Sequence, residues 1–113
     1  MTVRGSVAGG RNTEFVLATL VEIMKREAEL QRLDWLVMSL ATDGRDGPTD
    51  SAGAFVSPES LHQVREKKLR PERYLENNDS YGFFQEIGGL LFTGPTGTNV
   101  MDLRLFLLAP ESD

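Results

Sequence analysis

The sequence contains no cysteine and only one histidine among its 113 residues. The lack of cysteine excludes disulfide bonds and thiolate metal sites, and a single histidine excludes a multi-histidine metal centre. A metal bound here would therefore be a hard cation held by oxygen atoms, Mg²⁺ before Ca²⁺. Because a chain without cysteine is compatible with a reducing compartment, we expect a cytoplasmic protein.

The sequence also lacks long hydrophobic runs and an excess of basic residues. No apolar run approaches the roughly 20 residues of a membrane span, and residues 1–15 have no apolar core typical of a secretion signal. The formal net charge is −5, which does not support a basic nucleic-acid-binding face. With 40% hydrophobic and 26% charged residues, the composition is that of one soluble globular domain, without membrane or nucleic acid as a partner.

Apolar periodicity predicts helices and strands that alternate along the chain. Leu17, Leu20 and Met24 recur with helical spacing and indicate a helix over about residues 12–31. The run from Asp34 to Ala41 is typical of a buried central strand. Further helices are predicted at 57–70, 71–76 and 81–87 and further strands at 2–4, 90–93 and 102–108, whereas 54–56 is ambiguous. This order predicts an α/β fold: a single domain over residues 1–113 with a small mixed β-sheet flanked by helices.

The first glycine-rich loop, Gly5 to Asn12, reads G-x-x-x-x-G-R-N. It superficially copies the phosphate-binding pattern G-x-x-x-x-G-K-[ST], but Arg11 and Asn12 replace the lysine and the hydroxyl, so a true P-loop is rejected. A helix N-terminus still attracts anions, and an arginine adds a bidentate fork for carboxylate or phosphate. We therefore predict an anion site at Gly10, Arg11 and Asn12. The alternative is a helix cap beside a surface arginine.

The second loop, Thr42 to Gly53, follows the central strand and contains three carboxylates, Asp43, Asp46 and Asp50. Its twelve residues exceed the 4–6 of an ordinary connection, and their spacing does not fit an EF-hand. One or two of these carboxylates could hold a Mg²⁺-nucleotide or a polyol. The alternative is that each aspartate makes a turn by bonding its own backbone.

The third loop, Thr93 to Asn99, offers hydroxyls, an amide and glycines but no charge. Such a loop can cradle an oxyanion or can be a plain connection. Before it, Asn78-Asp79-Ser80 is interpreted as a helix cap, and the single histidine, His62, as a solvated surface residue.

Together these motifs, in this order and spacing, resemble the C-terminal, MOFRL-type domain of the glycerate 2-kinases over nearly the whole chain. The residues that carry the resemblance are Gly9-Gly10-Arg11-Asn12, Thr42-Asp43-Gly44, Asp46-Gly47-Pro48-Thr49-Asp50, Ala52-Gly53, Asn78-Asp79-Ser80, Phe83-Phe84 and Thr93-Gly94-Pro95-Thr96-Gly97-Thr98-Asn99-Val100.

The resemblance implies ATP-dependent phosphorylation of D-glycerate on its 2-hydroxyl to give 2-phosphoglycerate, with ATP and Mg²⁺ as cofactors. Members of the family have also been labelled hydroxypyruvate reductases, which nothing in this sequence supports. We assign Arg11 as the catalytic residue and Asp43 and Asp46 as the metal ligands. The residues expected to bind substrate or phosphate are Gly10, Asn12, Thr42, Asp43, Asp46, Thr96, Thr98 and Asn99.

The sequence departs from the family pattern in ways that leave two functions open. Thr13 stands where glutamine is common, and Met101 where asparagine is common. Family members also carry a larger N-terminal domain that forms the other half of the active-site cleft, including a phosphate-handling lysine. We expect the chain to be the substrate-side half of a kinase that needs this domain in cis or in trans. The alternative is a non-catalytic anion-binding or assembly module; a free-standing enzyme ranks third, and assembly into a homo-oligomer is left open.

Overall fold

A computed structural model describes residues 10–31, 33–47, 50–94 and 102–110. Within them, the chain forms five helices and four strands. The helices are α1 (Arg11–Lys25), α2 (Glu27–Leu30), α3 (Pro58–Glu66), α4 (Pro71–Glu76) and α5 (Ser80–Ile87), and the strands are β1 (Leu33–Ala41), β2 (Gly53–Val56), β3 (Leu90–Leu91) and β4 (Asp102–Pro110). None of the helices in these ranges has the length and hydrophobicity of a membrane span.

The four strands form one sheet in the order β3-β2-β1-β4, and every described pair is antiparallel. The two longest strands, β1 and β4, pair along their full length, from Leu33 opposite Pro110 to Ala41 opposite Asp102. Strand β1 is therefore central, as predicted. The expectation of one small domain with helices packed on a sheet is confirmed, but the described pairing is antiparallel rather than mixed.

One face of the sheet is covered by helices. Side chains alternate along a strand, and Trp35 and Val37 of β1 point into a core with Leu17 and Leu20 of α1. Helices α3 and α5 add Leu61, Val64, Phe83 and Phe84 to the same core, and residues of α4 pack against it. Both leucines of α1 are fully buried, which confirms the apolar face predicted for this helix.

The opposite face of the sheet, called here the open face, is apolar but carries no helix of the described residues. Its members project from all four strands and are half-buried or exposed, and none belongs to the helix-side core. They are Leu36, Met38, Leu40, Phe55, Leu91, Leu103, Leu105 and Leu107.

Element boundaries differ from the sequence prediction at a few points. The helix expected over residues 12–31 is divided at Arg26, whose backbone leaves helical geometry (φ −115°, ψ 23°). The ambiguous segment 54–56 forms most of β2, because Ala54 and Val56 are fully buried against α1 and α5 on one side of the sheet. The strand predicted at 2–4 lies outside the described residues.

Candidate functional site

The glycine-rich loops converge at one end of the sheet. Gly10 lies against the acidic loop, so closely that a Cβ atom on it would stand 2.3 Å from Cγ of Asp46. Gly44 has a positive φ of 91°, and a Cβ atom there would stand 2.1 Å from the carbonyl oxygen of Gly94. These two positions require glycine because backbone or a buried carboxylate fills the space of a side chain. The first loop, the acidic loop and the start of the third loop are thus in direct contact.

Asp46 caps the N-terminus of α1 from a distant part of the chain. Its side chain is buried, with 1% of the residue exposed. Its Oδ1 accepts hydrogen bonds from the backbone N–H (2.9 Å) and the side-chain amide (3.1 Å) of Asn12, and its Oδ2 accepts from the N–H of Thr13 (2.9 Å). An internal carboxylate therefore occupies the position at which a helix N-terminus would otherwise attract an anion.

A buried polar network continues inward from this cap. Ser39 of β1 donates a hydrogen bond to Oδ1 of Asn12. The hydroxyl of Thr13 lies 2.7 Å from that of Ser80, the first residue of α5, and also accepts from the N–H of Gly10 at 3.1 Å. The side chains of this network belong to Asn12, Thr13, Ser39 and Ser80, and all four residues are fully buried. The network, together with Asp46, is called here the inner network.

Arg11 and Asp102 form an ion pair on the outer side of the inner network. Arg11 donates from Nε to Oδ2 and from Nη2 to Oδ1 of Asp102, the second bond at 2.8 Å, so the pair is bidentate. Asn12 donates a further bond to Oδ1 at 3.2 Å. The hydrogen bond with Asp102 raises the pKa of Arg11, and the hydrogen bond from Arg11 lowers the pKa of Asp102. The Arg11 side chain remains 67% exposed and can meet a ligand.

Glu14 increases the acidic character of this end of the molecule. Burial raises the pKa of Glu14, and the negative charge of Asp46 raises it further. Its Oε1 is buried and has no hydrogen-bond partner within the described residues. Asp43, Asp46 and Asp102 act on the charge of Arg11, so this end of the molecule carries several carboxylates around an exposed guanidinium.

The other two aspartates of the acidic loop also make hydrogen bonds within the chain. Asp43 is exposed, and its Oδ1 accepts from the backbone N–H of Arg45 at 3.0 Å, as in the turn considered from the sequence. Asp50 accepts from the hydroxyl of Tyr81 at 2.7 Å, which raises the pKa of that tyrosine. The loop is thus anchored to α1 and α5.

The structure brings together four of the nine residues that the sequence predicted for the site. Gly10, Arg11, Asn12 and Asp46 lie in direct contact, whereas Thr96, Thr98 and Asn99 lie outside the described residues. Among the predicted metal ligands, Asp43 presents an exposed carboxylate and Asp46 a buried one. Over the described ranges, no three acidic or histidine side chains are grouped so as to hold a metal ion.

Sequence reasoning missed Asp102, Ser39 and Ser80 as parts of the site. From the sequence, Asp102 is placed only at the start of the last predicted strand, and Ser80 only within the Asn78-Asp79-Ser80 motif. Asp102 is the first residue of β4 and pairs with Ala41, the last residue of β1, where the acidic loop begins. Polar residues at strand ends beside predicted loops were the available signal.

The fold and the site define a class: a two-layer domain whose glycine-rich loops gather around a capped helix N-terminus. The sequence matches the MOFRL family over residues 1–102, and the chain belongs to this family. This confirms the resemblance stated above.

Named relatives and a solved structure agree with the family assignment. The chain is 45% identical over 112 residues to a glycerate kinase of Macaca fascicularis, covering 96% of this chain and 28% of that protein. It is 41% identical over 106 residues to a D-glycerate 2-kinase of Thermotoga maritima, covering 94% of this chain and 24% of the relative. The crystal structure of a Thermotoga maritima glycerate kinase matches with a TM-score of 0.81 and 39% identity, over 96% of this chain and 25% of that one. The chain thus spans about a quarter of the length of these relatives.

Proposed function

We propose that this domain is the C-terminal, substrate- and phosphate-binding domain of a glycerate 2-kinase. The reaction is ATP-dependent phosphorylation of D-glycerate on its 2-hydroxyl, which gives 2-phosphoglycerate. The names of the relatives support the reaction. The loops that meet around Gly10, Asp46 and Gly94, called here the loop cluster, have a chemistry compatible with it.

The observation that carries the proposal is the position of Arg11. It stands at the point where the glycine-rich loops meet, it is held by Asp102, and two-thirds of its side chain is exposed. A guanidinium fixed at one edge by a carboxylate can still donate from its remaining N–H groups to a carboxylate or phosphate. We assign to Arg11 the binding and orientation of an anionic group of glycerate or of the transferring phosphoryl group.

The first amides of α1 contribute less to anion binding than the sequence suggested. The N–H groups of Asn12 and Thr13 already donate to Asp46, and that of Gly10 donates to Thr13. In the conformation described, ligand binding therefore depends on exposed groups such as Arg11 and Asp43. The proposed role of Asp46 and Asn12 is to fix the loop that presents them.

Asp43 is the better placed of the two proposed Mg²⁺ ligands because its carboxylate is exposed. Mg²⁺ commonly takes one or two protein carboxylates and completes its shell with water and phosphate oxygens, so one exposed aspartate fits a metal that arrives with ATP. When bound, Mg²⁺ neutralises charge on the phosphates during transfer. It would also offset the repulsion between those phosphates and the surrounding carboxylates.

The proposed activity requires a second domain. Phosphoryl transfer depends on positioning and on cationic groups around the transferring phosphate, and the glycine-rich motifs of this chain contain no lysine. An open half-site also cannot exclude water. We expect the larger domain, in cis or in trans, to supply the missing cation and the other wall of the cleft.

The test compares the 113-residue chain with a chimera in which it replaces the matching quarter of the Thermotoga maritima enzyme. ATP-dependent formation of 2-phosphoglycerate is expected from the chimera and not from the chain alone. Arg11→Ala in the chimera should lower kcat/KM by about 10²-fold or more. Arg11→Lys should be almost as damaging, because lysine cannot replace a bidentate fork.

Arg73→Ala, on α4 and away from the loop cluster, is the matched control and should leave kcat/KM unchanged. Turnover by the isolated chain would make it a minimal enzyme and contradict the need for a second domain. If Arg11→Ala leaves kcat/KM of the chimera unchanged, Arg11 is not part of the site.

The engagement of Asp46 and Asp102 by the protein's own donors also favours a second candidate, a non-catalytic anion-binding or assembly module. In that case the domain would retain the loop cluster without supporting turnover. An active chimera that depends on Arg11 would exclude this candidate.

A further inference from the structure

The open face of the sheet is an extended apolar surface. Leu103 and Leu107 of β4 are each 51% exposed, and the six other members of the face are half-buried. The charged residues of β4, Asp102 and Arg104, point to the other face, where Arg104 lies over the ring of Phe15 with its guanidinium carbon 4.1 Å from the ring centre. The open face thus carries eight apolar side chains, and the charged residue that the described strands place on it, Asp34, lies at the start of β1 opposite Ala109.

The open face is comparable in size to the largest apolar patch of an ordinary soluble monomer, and such a patch is often functional. Soluble monomers rarely expose contiguous apolar patches larger than a few hundred Å², and patches of that size are commonly interaction sites. From the spacing of strands and of residues along them, the open face measures roughly 300 Å² in projection. Covering it would remove apolar surface from water and so stabilise the assembly.

The size of the face favours a tethered partner over a free one. A stable complex of independent proteins buries about 800 Å² on each partner, which the open face alone does not provide to a second copy of this chain. A partner in the same polypeptide needs less contact area, because a linker raises its effective concentration to the millimolar range. The named relatives are about four times as long as this chain, so they contain such a covalently linked partner.

We infer that the open face is the docking surface for the larger domain of a glycerate-2-kinase polypeptide. This inference rests on the proposed function for the identity of the partner. The open face is one face of the sheet, and the loop cluster lies at one end of the same sheet. The same partner could therefore be anchored by Leu103 and Leu107 and reach over the loops that begin at Ala41 and end at Asp102.

The absence of cysteine from the chain permits a direct test by thiol labelling. Leu107→Cys places a thiol on the open face, and Leu108→Cys places one on the next residue of the same strand, which points to the other face and is 69% exposed. Each variant is labelled with a maleimide as the isolated chain and within the Thermotoga maritima chimera. Labelling rates are measured by mass spectrometry on the peptide that carries the introduced cysteine, so cysteines elsewhere do not interfere.

We expect labelling of Leu107→Cys to slow at least tenfold in the chimera relative to the isolated chain, and that of Leu108→Cys to change less than twofold. Equal rates for Leu107→Cys in both contexts would overturn the inference. So would equal slowing of both thiols, which would place the contact at the edge of the sheet. Protection of Leu107→Cys in the isolated chain that disappears on dilution would assign the face to a second copy.

Two features keep this test independent of folding and of catalysis. If the Thermotoga chimera does not fold, as judged by circular dichroism, the Macaca fascicularis enzyme serves as the recipient. Labelling requires no turnover, so a protected but inactive chimera would contradict the proposed function and support the docking surface. An active chimera with an unprotected thiol would do the reverse.

Discussion

Two adjoining parts of the loop cluster use similar residues for different purposes. In the inner network, the carboxylate of Asp46 is buried and accepts three hydrogen bonds from α1. In the outer pair, the carboxylate of Asp102 holds an arginine that is largely exposed. The comparison indicates that a polar motif residue can be required for the shape of a site without touching a ligand. Burial and the direction of the hydrogen bonds, rather than residue type, separate the two roles.

The largest effect in this comparison is expected from Asp46→Ala. This change leaves buried N–H groups at the start of α1 without an acceptor, and each such group costs about 1–3 kcal/mol. We expect the free energy of unfolding to fall by about 3 kcal/mol, measured with urea. Asp46→Asn retains one acceptor oxygen and should lose less.

Asp43→Ala is the matched control for Asp46→Ala, because Asp43 is an exposed aspartate of the same loop. It should change the free energy of unfolding by less than about 0.5 kcal/mol, as is usual for surface positions. Equal effects at the two aspartates would remove the distinction between an inner and an outer region.

A smaller effect is expected from the contact between Thr13 and Ser80, which joins α1 to α5 within the inner network. We expect a coupling free energy of about 1 kcal/mol from a double-mutant cycle of Thr13→Val and Ser80→Ala, as for other buried hydrogen bonds. Urea unfolding of the two single variants and the double variant gives this value. Purely additive single effects would mean that the two hydroxyls do not interact.

Arg11→Ala should affect stability less than either change in the inner network. An exposed ion pair contributes about 0–1 kcal/mol because solvent screens it, and Arg11 is 67% exposed. We therefore expect the urea midpoint to change little, although kcat/KM of the chimera falls. A loss of stability as large as that of Asp46→Ala would place Arg11 among the structural residues.

The smallest expected effects are those of pH on the free energy of unfolding. Two carboxylates contribute to this pH dependence with opposite signs. The pKa of Asp102 is lowered in the folded state, so its contribution is present above the unfolded pKa of about 3.9 and is lost as pH falls through the folded value. The pKa of Glu14 is raised, so its ionised form weakens the fold at neutral pH, and this penalty disappears as pH falls through its folded pKa.

We accordingly expect Asp102→Asn to reduce the loss of stability on acidification, and Glu14→Gln to raise stability at pH 7. Urea midpoints measured between pH 3 and 7 test both. A Glu14→Gln variant that is less stable than the parent at pH 7 would indicate that the ionised carboxylate has a favourable partner.

The sequence predicted the helix-side core well, because the spacing of Leu17 and Leu20 places both side chains on the same face of a helix. It also singled out Arg11, Asn12 and Asp46, which the fold brings together, since glycine-rich motifs beside a strand end are recognisable locally. It did not predict that Asp46 caps α1 or that Asp102 holds Arg11. The two residues of each contact are far apart in the chain, by 34 positions in the first case and 91 in the second. Only the packing of the sheet brings them together.

The close approach of Gly44 to Gly94 means that the acidic loop and the third loop cannot be redesigned separately. A side chain at position 44 would collide with backbone rather than with a movable side-chain end, so the third loop would have to shift to admit it. Libraries intended to change the substrate range of such a domain should therefore vary both loops together and keep these two glycines. Of the substitutions that randomise one loop alone, we expect those at Gly44 to be the least tolerated.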